Sequence, residues 1–387
     1  MAAVLIALRV LAGLAGVGLA LATMASAVRT VIVPRAIPAR LASAVFLVVG
    51  QVYRLRLGRA ASYTARDRAM ATFAPVSLLA LLGAWLSVMW LAFGLLLWGT
   101  DGGSGWAALR LSGSSLLTLG FAVPGSVVAT VVEFAEAGTG LVLLALLITY
   151  LPSLYQAFAR REALISKLEV RAGAPPTGWE LLSRAWRLER FDLLAPLWSV
   201  WEDWFVDLEE SHTSFPALPF FRSPEADHSW VTAAGAVLDA AALLCAAVDV
   251  PRDIDAELTI RAGYLALRRI AAFFAIPFDP DPTAGDPIML TREEYDVAVG
   301  ELAAAGVPLR GDQEAAWRDF AGWRVNYDAV LVALAGMVTA PYAPWSSDRS
   351  RPSRPPRPQW FARQPVAVHG PGHDLLPGPS AGSLPRS

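Results

Sequence analysis

The chain has 387 residues, 55% of them hydrophobic, with a formal net charge of −2 and a mean hydropathy of +0.44. That length holds two or three domains, the charge balance excludes a global basic field for nucleic acid, and the lone Cys245 excludes an intrachain disulfide or a cysteine-built metal site. The average hides a division: residues 1–100 carry nine Arg and one acid, Asp67, whereas residues 162–330 carry 28 of the 34 acids against 14 basic residues.

Residues 2–24 form the first apolar run, broken only by Arg9. A bilayer core needs about 20 apolar residues in a helix, so this run predicts a span. It ends in "ATMASA", which imitates a signal-peptidase site. A basic leading segment is absent and the apolar core exceeds the usual 7–15 residues, roughly, so the reading is a retained helix. Residues 41–53 are apolar but short, and Arg40, Arg54 and Arg56 flank them; they predict an interfacial helix. Residues 1–72 are thus an N-terminal helix plus a basic linker.

Residues 73–99, "TFAPVSLLALLGAWLSVMWLAFGLLLW", and 137–158, "AGTGLVLLALLITYLPSLYQAF", are the second and third candidate spans, the latter stopped by Arg160 and Arg161. Segment 24–74 holds eight Arg and one Asp. The tendency of arginine-rich loops to stay inside makes this segment cytoplasmic. The N-terminus then lies outside, 73–99 runs outward and 137–158 runs inward, which returns Arg160 and Arg161 to the cytoplasm. The expected location is the cell membrane, multi-pass, in contact with lipid.

Between these two spans lies "SGSSLLTLGFAVPG", residues 112–125. It starts and ends on the outer side, so it dips in and returns. Irregular backbone at membrane depth is tolerated only where protein or a water-filled cavity surrounds it. Residues 106–117 suit a helix of about 18 Å, half a membrane, and Pro124 and Gly125 break the chain before the next helix. Over roughly residues 75–160, this order of outer helix, short pore helix, "TLGFA" and inner helix resembles potassium-channel-type pore-loop proteins. The resemblance implies a filter at Thr118, Leu119, Gly120, Phe121 and Ala122, whose carbonyls replace the hydration shell of a monovalent cation, potassium in that family. One loop per chain implies a homotetramer. Leu119 stands where that family has valine, Ala122 where it has its second glycine, and Val123 where an acid often follows.

On the third span, Gly138 and Gly140 are candidates for a hinge or a close helix contact. Glu133 and Glu136 are candidates for an outer-mouth ring of carboxylates, or for solvated acids at a helix start. Pro152 predicts a kink.

From residue 162 to 340 the sequence reads as an acidic, all-α cytoplasmic domain. "REALISKLEVRAG" continues the inner helix to Gly173. Helices are expected over 177–189, 193–210, 229–249, 253–275, after a capping box at Thr291 and Glu294, and over 312–338 as one element. Residues 229–249 are long enough to imitate a span, but Asp239 in their middle favours a buried core helix. Glu209, Glu210 and His212, with Glu225, Asp227 and His228, are the thin material for a metal site; no ligand spacing, phosphate loop or nucleophile elbow appears. No catalytic residue, metal or cofactor is expected. From Pro341 onward 11 of 47 residues are Pro, which predicts a disordered tail. The fold class is therefore all-α: membrane helices with a re-entrant loop, plus a cytoplasmic helical domain. Two functions fit. One is passive conduction of a monovalent cation. The other is a non-conducting membrane anchor whose cytoplasmic domain senses a signal or binds a partner.

Overall fold

The computed structural model describes residues 2–33, 40–57, 63–101 and 103–349. Among these the chain is all-helical, with twelve α-helices and three short 3-10 turns. It divides into two compact units: Met1–Ala61 with Arg68–Gln156, and Ser62–Asp67 with Ala157–Ser387. Most of the Pro-rich tail, residues 350–387, lies outside the described residues.

The first unit contains α1 (Ala2–Val31), α2 (Arg40–Leu57), most of α3 (Tyr63–Asp101), α4 (Gly105–Leu116) and the first part of α5 (Val127–Ala172). Three helices, at Ala3–Val31, Asp67–Thr100 and Val127–Ala172, are long and apolar enough to cross a membrane. Their direction alternates. Gly16 of α1 lies against Ala92 of α3, and the Trp85 indole donates to Ser26 (3.3 Å), so α1 and α3 are antiparallel. Leu97 clusters with Ala129, and Trp85 and Met89 with Leu143, so α3 and α5 are antiparallel too. The short run at 41–53 extends to a helix of 18 residues, α2, whose Ala42, Val45 and Phe46 pack into the cluster around Ala27 and Trp85.

The second unit is built on α8 (Trp230–Ala246). Its residues are buried on every face, Cys245 only partly so. A helix apolar all round must be enclosed, and Ala-rich faces permit close approach. It packs against α6 (Gly178–Arg187), α9 (Ile254–Phe273), α11 (Gln313–Arg324) and α12 (Asp328–Val338), while α7 (Leu194–Ser214) packs on α9. The end of α5 contributes Ile165, Leu168 and Ala172 to the same core. Helix α10 (Arg292–Ala304) starts with the Thr291–Glu294 capping box.

The single helix expected over 312–338 is instead two. Asn326 turns its amide onto the carbonyls of Gly322 (3.1 Å) and Trp323 (3.2 Å), satisfying acceptors that a continuing helix would use. Tyr327 then reaches the Asp239 carboxylate (2.9 Å).

Candidate functional site

Helix α4 and the turn after it form the most irregular part of the first unit. Ser104 caps its start, accepting from Ala107 N–H (3.2 Å). The helix runs back along α3: Gly94 meets Leu109, the Trp90 indole donates to the Leu109 carbonyl (2.8 Å), and Gly113 rests on Trp90. It runs in the same direction as α5, with Ala108 and Leu111 beside Ala129, Ser112 beside Glu136 and Leu116 beside Gly140. At 1.5 Å per residue, Trp90 lies about 16 Å below the end of α3. The chain therefore runs back along α3 by about 16 Å, turns at residues 117–121, and returns to the level of Leu97, where α5 begins.

The turn is organised by one residue, Ser114, through its backbone carbonyl and its hydroxyl. The Ser114 carbonyl accepts from the N–H groups of Leu119 (2.8 Å) and Gly120 (3.3 Å). Its hydroxyl oxygen accepts from those of Phe121 (3.0 Å) and Ala122 (3.1 Å). Thr118 (φ 56°) and Gly120 (φ 68°) alternate with residues of negative φ. Gly120 takes this conformation without cost, whereas Thr118 carries strain of about 1–3 kcal/mol. Four consecutive amides are thus turned inward. Among the described residues, no hydrogen bond ends on the carbonyls of Thr118, Leu119, Gly120 or Phe121. Leu119 and Phe121 are exposed in the single chain.

Ala122, where the resemblance would place glycine, packs against Leu97, Ala108, Leu111 and Ala129. Its methyl fills apolar contact. Arg110 of α4 lies over the Phe121 ring at 5.8 Å, a cation beside the turn.

The carboxyl of Glu136 is fully buried behind α4 and bonded to Ser112 (2.5 Å), with its second oxygen unpartnered. In the single chain it lies in the packing between α4 and α5; a buried acid opposite a serine gives no sign of itself in spacing. Glu133 is partly exposed, and its backbone carbonyl accepts from Ser115 (2.7 Å). Gly140 packs closely: a Cβ there would lie 2.4 Å from the Leu116 carbonyl. Gly138 faces open space. Ser112, Ser114, Ser115 and Trp90 hold this hairpin together and to α3 and α5; small residues of this stretch are expected at helix contacts, but none of the four is singled out by the sequence. The signal available was Ser112 and Ser115 at three-residue spacing on one helix face.

The histidines lie apart from this site. His212 sits on α7, fully buried, with Nε2 facing the Arg161 guanidinium (3.3 Å) and its ring against Trp230. Burial and then the Arg161 charge hold it well below its ordinary value. His228 contacts Glu169 (3.2 Å). Glu209 pairs with Arg269 (2.7 Å), and Glu210 accepts from Ser214 (3.1 Å). Among the described residues no three metal-ligating side chains gather.

Among the described residues, fold and site together define an all-helical protein with three helices long and apolar enough to cross a membrane and a short helix-turn hairpin packed between two of them. No protein family, curated protein or solved structure matches the chain.

Proposed function

We propose that this chain is an ion-channel-like integral membrane protein, conducting a monovalent cation passively past Thr118, Leu119, Gly120, Phe121 and Ala122 in a homotetrameric pore. The observation that carries the reading is the capture of four amides by Ser114, which leaves consecutive carbonyls free. Free carbonyls at membrane depth need a partner that hydrocarbon does not supply; a partly dehydrated cation is one. The C-terminal end of α4 points its negative dipole toward the same turn, which favours positive charge. Exposed Leu119 and Phe121 are then covered by neighbouring copies. The arginine distribution puts the N-terminus outside and the acidic helical domain, with an unidentified partner, in the cytoplasm.

The test is flux in proteoliposomes with potassium, sodium and protein-free controls. Wild type transports one or both ions. Gly120→Val forces a β-branched side chain into left-handed backbone and reduces flux to the protein-free level. Ser114→Ala releases two amides and lowers flux at least tenfold, about 1.4 kcal/mol. Unchanged conductance in both variants removes the filter role.

A second reading is a non-conducting anchor for the cytoplasmic domain. Arg110 beside Phe121 favours it, because a guanidinium at the turn repels a cation. Mass measurement in detergent separates the two: a monomer or dimer supports the anchor, a tetramer the pore.

A further inference from the structure

Ser112 of α4 stands between two oxygens. Its hydroxyl lies 2.9 Å from the Trp90 carbonyl of α3 and 2.5 Å from a carboxyl oxygen of Glu136 on α5. Both separations suit an O–H···O bond. A serine hydroxyl carries one hydrogen, while a backbone carbonyl and an ionised carboxylate carry none. An ionised Glu136 would leave one of the two contacts without a hydrogen, with lone pairs facing each other. A protonated Glu136 fills both: its O–H donates to the Ser112 oxygen, and Ser112 donates to the Trp90 carbonyl.

The surroundings agree. The second carboxyl oxygen of Glu136 is buried and has no hydrogen-bond partner. That is tolerable for the carbonyl of a neutral acid and costly for half of a shared negative charge. Among the described residues no cation pairs with the carboxyl. Over residues 69–100 α3 carries no charged side chain, and α4 carries only Arg110, whose guanidinium lies over the Phe121 ring. The charged neighbour one turn earlier on α5 is Glu133, itself an acid. Ser112 also shares a helical turn with the residues that fix the irregular segment. Ser114 holds the amides of residues 119–122, and Ser115 donates to the Glu133 carbonyl (2.7 Å). Four side chains tie this end of α4 to its neighbours: Trp90, Ser112, Ser115 and Glu136. Of these, only Glu136 exchanges a proton near neutral pH.

We propose that Glu136 is held as a neutral acid and acts, through Ser112, as the positioning residue of the Ser114 turn. The donor chain runs one way, from the Glu136 carboxyl to the Ser112 oxygen and from Ser112 to the Trp90 carbonyl. Loss of the proton reverses the first link: Ser112 turns its hydrogen to the carboxylate and releases the Trp90 carbonyl, so α4 loses this tie to α3. The effect on conduction rests on the pore reading above; the place of the proton does not.

The experiment is infrared difference spectroscopy and hydrogen exchange on the full chain in liposomes, with the variants E136Q and E136L. At neutral pH, wild type minus E136Q shows the carbonyl stretch of a protonated carboxylic acid. A carboxylate band in its place overturns the proposal. The amide in E136Q donates to Ser112 in the same direction, so the amides of 119–122 keep wild-type exchange. E136L fills the space without a donor. There the same amides exchange about tenfold faster, as expected for one lost buried hydrogen bond, while those of α8 are unchanged. Equal exchange in E136Q and E136L overturns the positioning role. The infrared arm needs only the isosteric E136Q, so it decides the proton even where E136L does not fold. Flux is read on the same samples, with wild type and E136Q equal and E136L lower. A wild-type protein that conducts nothing removes the pore reading, and the infrared and exchange arms still decide this one.

Discussion

Ser112 and Glu136 meet at 2.5 Å, joining α4 to α5 at a point fully removed from solvent. Ser112 also lies 2.9 Å from the Trp90 carbonyl, so one hydroxyl links three helices. An unpaired buried carboxyl is costly, and this contact supplies the only hydrogen bond of the Glu136 carboxyl among the described residues.

Glu136→Gln keeps a hydrogen-bonding group at the same position and removes the charge. Because the carboxyl is packed behind α4, the expected outcome is wild-type ion flux. Flux that drops severalfold at low salt and recovers at high permeant-ion concentration would instead mean that the acid concentrates cations. Ser112→Ala strands the carboxyl and lowers thermal stability in detergent by about 1–3 kcal/mol.

Gly140 and Gly138 are two residues apart on α5 and answer differently to the same change. Gly140→Ala drives a methyl into the Leu116 carbonyl, where a Cβ would sit at 2.4 Å. Backbone has to move, at about 1–3 kcal/mol, and the melting midpoint falls. Gly138→Ala meets nothing within 4 Å and leaves the midpoint unchanged or raises it through helix propensity. Equal effects at the two sites would contradict this packing of α4 on α5.

In the second unit, Arg324 is fully buried and holds three elements together. It pairs with Asp239 of α8 and with Asp328 of α12 (2.8 Å), and it donates to the Trp345 carbonyl (2.5 Å). Burial pushes the Asp239 carboxyl up, opposed by Arg324 and Tyr327. Burial by itself would lower the guanidinium, but the two carboxylates outweigh it and hold it above its usual range. Arg324→Leu leaves both acids without a counter-charge and costs about 3–5 kcal/mol. The exposed Arg318→Leu serves as the control in thermal melts, with a shift of under about 0.5 kcal/mol.

His212 gives the second unit a pH dependence of known sign. Arg161 has no lone pair to offer, so His212 Nε2 accepts from it, and the ring is neutral in the fold. Its folded pKa lies well below 6.5, while the unfolded ring titrates near 6.5. Below that value the unfolded chain binds a proton that the folded one excludes. Stability is full above about pH 6.5 and falls by about 1.4 kcal/mol per unit as pH drops beneath it. Melting curves between pH 7.5 and 5 check this. His212→Gln flattens the slope, and a slope that persists in the variant assigns the dependence to other groups.

Much of the architecture was legible in the chain. Apolar runs long enough for a bilayer marked α1, α3 and α5, and the half-length helix at 106–117 was visible because Gly and Pro bracket it. Asp239 inside an apolar run marked α8 as a core helix, because a lone carboxylate in such a helix requires a buried partner. The identity of that partner, 85 residues later, was not legible. Neither was the break at 325–327, since hydrophobic periodicity continues across it and only the Asn326 amide ends the helix.

Sequence alone determined the helical class, the three apolar runs, the charge asymmetry and the place of the irregular turn, because these depend on local composition and period. Tertiary structure decided which way that turn presents its backbone. The capture of four amides by Ser114, the burial of Glu136 and the close approach at Gly140 all depend on three helices meeting, and a pairing between helices distant in the chain leaves no periodic trace in a single sequence.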